Sequence, residues 1–116
     1  MKKYLMIMRS EPRSQQQQQT PPSPAQMQEM YASFNAWKEK FKANIVDIGD
    51  GLKPGGRVLS ASGVTDGPFA EAKEIAGGFM IVAAESYEEA VEVARESPGM
   101  KGPGSSIEIR EMMGRS

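Results

Sequence analysis

In an extended chain, Lys2–Arg9 (KKYLMIMR) places Tyr4, Met6 and Met8 on one face and Leu5 and Ile7 on the other. Both faces are apolar, which predicts an inner strand covered on both sides. Ser10–Ser23 then breaks the pattern with five glutamines at Gln15–Gln19 and Thr20-Pro21-Pro22, and reads as a flexible loop. Ser23-Pro24-Ala25-Gln26 starts a helix: Ser23 as N-cap, Pro24 at the first helical position and Gln26 closing a capping box. Met27, Met30, Tyr31, Phe34, Trp37 and Phe41 follow at helical spacing as one stripe, expected to be core rather than the wall of a ligand pocket. Lys38, Lys40 and Lys42 oppose the negative end of the helix dipole, and Asn44 is the expected C-cap.

Ile45–Ile48 resumes a strand that Asp47, Asp50 and Gly51 end or bulge, and Lys53-Pro54-Gly55-Gly56 is a turn. The aspartates of Asp47–Gly51 lack the alternating oxygen ligands and terminal glutamate of a calcium loop. Arg57–Thr65 (RVLSASGVT) alternates as a strand, and Gly78–Ala84 (GFMIVAA) is the most apolar strand, hence central. Ser86-Tyr87-Glu88-Glu89 is a second capping box. It opens a helix with Tyr87, Ala90, Val91 and Ala94 inward, which Pro98-Gly99 terminates. Gly102-Pro103-Gly104 is a loop, and Ile107–Met113 is the last strand, with Ile107 and Ile109 opposed to Glu108 and Arg110.

The order is β-α-β-β-α-β with an extra strand or hairpin near Arg57–Thr65. It predicts a single α+β domain of ferredoxin-like type, an antiparallel sheet with both helices on one face. Two strands apolar on both sides leave the other face in need of a cover, which a second copy of the chain would supply.

A length of 116 residues with 39% apolar and 25% charged residues suits one folded domain. A net charge of −1 provides no basic field for nucleic acid or anionic lipid. No apolar run reaches the roughly 18 residues of a membrane span, and Met1–Arg9 is too short in apolar residues for a signal peptide. The chain has no cysteine and no histidine. Disulfides, thiolate chemistry, Ser-His-Asp triads and the usual zinc sites are excluded, and a cytoplasmic location fits. Acid–base chemistry would fall to Asp, Glu, Lys or Tyr. No glycine-rich phosphate loop is present, which argues against a nucleotide, and no cofactor is implied.

The stretch richest in chemistry is Val64–Phe79 (VTDGPFAEAKEIAGGF). Gly67 and Pro68 make a corner after Asp66, and Pro68 could open a short helical turn whose free N–H groups face the Asp66 carboxylate. The plain alternative is that Asp66 only stabilises the turn, and that Glu71, Lys73 and Glu74 form a solvated face.

The run Val64-Thr65-Asp66-Gly67-Pro68-Phe69-Ala70-Glu71-Ala72-Lys73-Glu74, followed by Gly77-Gly78-Phe79, closely resembles the signature of the YCII-related family, in its DGPF-domain branch. The opening YLMIM strand, Asp50-Gly51-Leu52, the Tyr87–Glu96 helix and the Ile107–Arg110 ending fall where that family has comparable elements. The resemblance implies a ferredoxin-like protomer that dimerises through its sheets, a dimeric α+β barrel. It also implies a pocket between sheet and helix, with Asp66 at the family's acidic position beside a histidine from the first helix. Here the corresponding helix position is near Phe34, so a His–Asp dyad cannot operate. The expected site is Asp66 as the one catalytic candidate, with Asp66, Phe69, Glu71, Lys73 and Phe34 as ligand-binding residues. Three functions compete: a small-molecule binding module around Asp66, an enzyme in which Asp66 moves a proton with help from Lys73 or Glu71, and an interaction dimer. The lack of histidine and cysteine favours the first and third; a polar pocket at Asp66 would favour the first two. The binding module is the reading taken.

Overall fold

Two strands rich in aliphatic residues, β1 (Lys2–Ser10) and β5 (Ile75–Ala84), pair antiparallel at the centre of the sheet, with Leu5 opposite Ile81 and Met6 opposite Met80. The computed structural model describes residues 1–10, 23–53, 55–67, 75–100 and 104–114. The expected loop over residues 11–22 lies outside them. β2 (Ile45–Gly51) adds to β5, and β6 (Ser105–Glu111) adds to β1, giving the sheet order β2-β5-β1-β6. All three pairings are antiparallel, so each β-α-β unit straddles a strand of the other. This is the ferredoxin-like α+β arrangement. No helix is long and apolar enough to cross a membrane.

Helix α1 (Pro24–Lys40) starts as its sequence predicts. The Ser23 hydroxyl accepts from the Gln26 N–H at 3.2 Å, and the Gln26 side chain accepts from the Ser23 N–H at 2.9 Å. Its apolar stripe is only half buried, however. Trp37 is in the core with Phe34 and Phe41 packed against it, while Met30 and Tyr31 are each 62% exposed and Met27 is also exposed. Length explains the difference. The 17 residues of α1 run about 25 Å, whereas the nine of its neighbour α2 (Tyr87–Arg95) run about 14 Å and reach only the C-terminal half. Asn44 is not the C-cap; Phe41 is, and its N–H bonds to the Trp37 carbonyl. Asn44 instead donates its side-chain amide to the Ala83 carbonyl and the Glu89 carboxylate, tying the start of β2 to β5 and α2.

In α2 the Ser86 hydroxyl accepts from the Glu89 N–H, but Glu89 reaches back to the Glu85 N–H rather than to Ser86. That bond and the Asn44 amide hold the Glu89 carboxyl below its usual range, against a smaller opposing effect of desolvation. Of the four residues expected inward, Ala90 and Ala94 are buried, joined by Val93, whereas Tyr87 and Val91 are exposed. Two alanines let the helix sit close to the sheet, and Val93 meets Trp37. Tyr87 still packs its ring edge-on to Tyr4 at 4.9 Å, and its hydroxyl accepts from the Glu111 N–H. A 3₁₀ turn (Pro98–Met100) follows α2.

One sheet face, with Tyr4, Met6, Met80, Val82 and Ala84, forms the core with both helices; Ile107 and Ile109 pack against it as expected. The Tyr4 hydroxyl is buried there without a hydrogen-bond partner among the described residues, and desolvation, then Glu111, lifts its pKa above the ordinary tyrosine value. The opposite face carries Leu5, Ile7, Phe79, Ile81 and Ala83, all half-buried. Arg9 bonds Glu108 at 3.0 Å on that side, and Glu108 also meets Arg110.

Of the two alternatives expected near Arg57–Thr65, an extra strand or a hairpin, the structure has the hairpin. β3 (Arg57–Ser60) turns at Ala61-Ser62 into β4 (Gly63–Asp66), as a two-stranded sheet of its own. Gly63, with φ 129°, and the Ser60 hydroxyl, bonded to the Ser62 hydroxyl and the Gly63 carbonyl, make the reversal.

Candidate functional site: a glycine-floored cleft beside the first helix

Where β2 meets β5, the chain is unusually poor in side chains. Gly51 pairs with Gly78, and the Leu52 N–H bonds to the Gly77 carbonyl. Gly49 lies one turn of the bulge away with φ 66°, and a Cβ on it would stand 1.8 Å from the Phe79 carbonyl oxygen. A Cβ on Gly78 would come within 3.3 Å of the Asp50 carbonyl oxygen. β2 can therefore bulge against β5 only because glycines stand at these points. The register shifts at Ile45/Asp47 and Asp47/Asp50 are the same event seen along the ladder.

The missing side chains leave a cleft of about 360 Å³ between this end of the sheet and α1. Its floor is Gly49, Gly51, Gly77 and Gly78; its walls include Met8, Ile48, Met80 and Phe34. Two charged residues reach it, Lys38 from α1 and Asp50 from β2. Asp50 uses one carboxylate oxygen to accept from the Gly51 N–H. Lys38 holds its ammonium 5.6 Å from the centre of the Phe34 ring. The neighbouring lysines are occupied, Lys40 by Glu96 and Lys42 by Glu39, whereas Lys38 has no ion pair among the described residues. An apolar slot with backbone amides and carbonyls at its base and one uncommitted ammonium at its lip can take a small molecule that has an apolar body and an anionic group.

A larger hollow of about 930 Å³ borders the N-terminal half of α1, lined by Met30, Tyr31, Phe34, Ser33, Glu29, Gln26 and Pro98. Among the described residues its lining comes from α1 and Pro98, whereas four strands and helices contribute to the cleft. Phe34 lines both.

Of the site residues read from the sequence, Phe34 stands in the cleft. Asp66 ends β4, with its side chain 91% exposed and 3.3 Å from the Arg57 guanidinium across the hairpin. Asp66 lines neither of these two hollows. Phe69, Glu71 and Lys73 lie outside the described residues, as does the helical turn expected after Pro68. Lys38 and Gly49 were not read from the sequence as site residues, and Gly51 was read only as ending or bulging its strand and as part of the family resemblance. Lys38 read as one of three dipole-compensating lysines, and the Gly77–Gly78 pair stood in the chemistry-rich stretch.

A comparison with curated protein sequences returns no match. The family model of the YCII-related domain matches residues 2–113, a span that takes in the sheet, both helices and the cleft, and the chain belongs to the YCII-related family.

Proposed function

We propose that this protein is a cytoplasmic, homodimeric binding module of the DGPF branch that takes a small organic acid in the cleft between α1 and the glycine-floored end of the sheet. The observation that carries the reading is Lys38: a cation without an ion pair among the described residues, placed over Phe34 at the lip of an apolar slot. A carboxylate or similar group would pair with the ammonium, and an apolar or planar body would lie against Phe34, Ile48 and Met80. Asp66 enters this proposal as a ligand contact on the family resemblance alone, since it lines neither hollow among the described residues. Its exposure and its Arg57 partner suit a ligand contact better than an enclosed proton-transfer group, which favours binding over catalysis. Pairing of the sheet faces is supported by the row Leu5, Ile7, Phe79 and Ile81, which the helices do not cover.

The test is a thermal-shift and NMR screen of small carboxylic acids against their uncharged amides. Acids should shift signals of Gly49, Gly77, Gly78 and Phe34, and Lys38→Met should weaken them at least about tenfold, the loss of one charge-assisted contact. Ligands that bind wild type and Lys38→Met equally, or that favour the amides, would remove this reading.

A further inference from the structure

The β3–β4 hairpin is an arm. It lies in sequence between β2 and β5, and among the described residues its strands pack chiefly on each other and neither joins the four-stranded sheet. A two-stranded hairpin with no further support is marginal in water. Its two faces differ. Val58, half-buried, lies against Gly67 on one; on the other, Leu59 and Val64 sit directly opposite each other, 78% and 61% exposed. A cross-strand pair of large aliphatic residues facing water on a two-stranded hairpin outside the main sheet is a docking surface in want of an occupant.

We infer that the occupant is a second copy of this chain: in the dimer, each hairpin arm lies across the partner and buries Leu59 and Val64 there. The inference rests on the sheet-face pairing proposed above, and area is what connects the two. The uncovered face of the four-stranded sheet measures roughly 19 Å by 23 Å, taking about 4.8 Å per strand and about 3.3 Å for each of the seven residues of β6. That is about 440 Å², short of the roughly 800 Å² per partner that a stable interface buries. An arm of two four-residue strands offers about 130 Å² on one face. In a two-fold pair each protomer both gives an arm and receives one, so the contribution counts twice and closes most of the gap.

The absence of cysteine makes the test direct. A photo-reactive maleimide is placed on Leu59→Cys, and nitrogen-15-labelled chains are mixed with unlabelled chains before illumination. Crosslinked peptides joining a labelled to an unlabelled chain are expected, together with a dimer in sedimentation velocity. Leu59→Glu should weaken dimerisation at least about tenfold, since one buried leucine is lost on each side of the two-fold. It should leave the melting temperature of the diluted monomer unchanged, because the side chain is exposed there. Ile81→Glu, on the sheet face, serves as the second variant. A dimer that Ile81→Glu abolishes but Leu59→Glu leaves intact, with crosslinks confined to single chains, overturns the arm and keeps the sheet pairing. A wild type that sediments as a monomer at about 100 μM, a concentration far above a micromolar dissociation constant, overturns both.

Discussion

The indole N–H of Trp37 donates to the main-chain carbonyl of Val93 at 2.9 Å, in the middle of the core. Val93 is in the last turn of α2, where carbonyls have no partner within the helix. The others nearby are met locally: Glu92 by the Glu96 N–H, and Ala94 by both the N–H and the hydroxyl of the buried Ser97. Trp37 therefore caps α2 from α1, and it is the residue through which the two helices share one core. Replacing it by Phe should keep most of the packing and strand the Val93 carbonyl. The expected loss is about 2–4 kcal/mol of unfolding free energy, from one unmet buried acceptor and a smaller ring. Urea titration followed by circular dichroism measures it; a loss under about 1 kcal/mol would mean water reaches that carbonyl freely.

Glu89 gives the protein an acid-sensitive joint. Its carboxyl titrates below its usual range because the charged form accepts from the Glu85 N–H and the Asn44 amide. A carboxyl with a lowered folded-state pKa contributes stability that is complete above the unfolded value near 4.5 and is lost as pH falls through the folded value. Glu89→Gln should flatten the stability profile below that pH and lower stability at neutral pH. Melting temperatures from pH 3 to pH 7 in both proteins, a range spanning the carboxyl titration, would show it. Parallel curves would sink the assignment.

Gly49 and Gly55 both have positive φ, 66° and 86°, but only Gly49 is crowded. Alanine at Gly55 should cost about 1–2 kcal/mol, the price of that backbone region for an L-residue. Alanine at Gly49 adds a collision with the Phe79 carbonyl and should cost clearly more, with loss of slowly exchanging amides between β2 and β5. Equal costs at the two positions would show that the bulge can relax, and that the cleft floor is not rigidly set by its glycines.

For Asp66 the structure sharpens a choice already open in the sequence. Its described partner is Arg57, in an exposed ion pair worth about 0–1 kcal/mol. Asp66→Asn should accordingly change unfolding free energy by no more than about that amount. If Asp66 serves the rim of the cleft, the same variant should lose affinity for the acids or other ligands found by screening. We expect unchanged melting with weakened binding. Unchanged melting with unchanged binding would leave Asp66 as a hairpin residue only.

Every feature legible in the sequence is one that four or five neighbouring residues settle among themselves. Ser23 and Gln26 cap α1 as read, because the two hydrogen bonds join residues three apart. The strand order and the facing of Met6, Met8, Ile107 and Ile109 follow from a period of two, and the split β-α-β topology follows from that order. Only the tertiary structure could decide which part of an apolar stripe is covered. Met30 and Trp37 carry the same periodic signal, but a neighbouring helix of nine residues reaches one and not the other. Asn44 looked like a local cap; instead its amide finds partners 39 and 45 residues away. Trp37 finds its acceptor 56 residues on. The cleft has the same character: its floor needs glycines from two strands that sequence separates, and its cation is one lysine of three, distinguished by having no ion pair among the described residues.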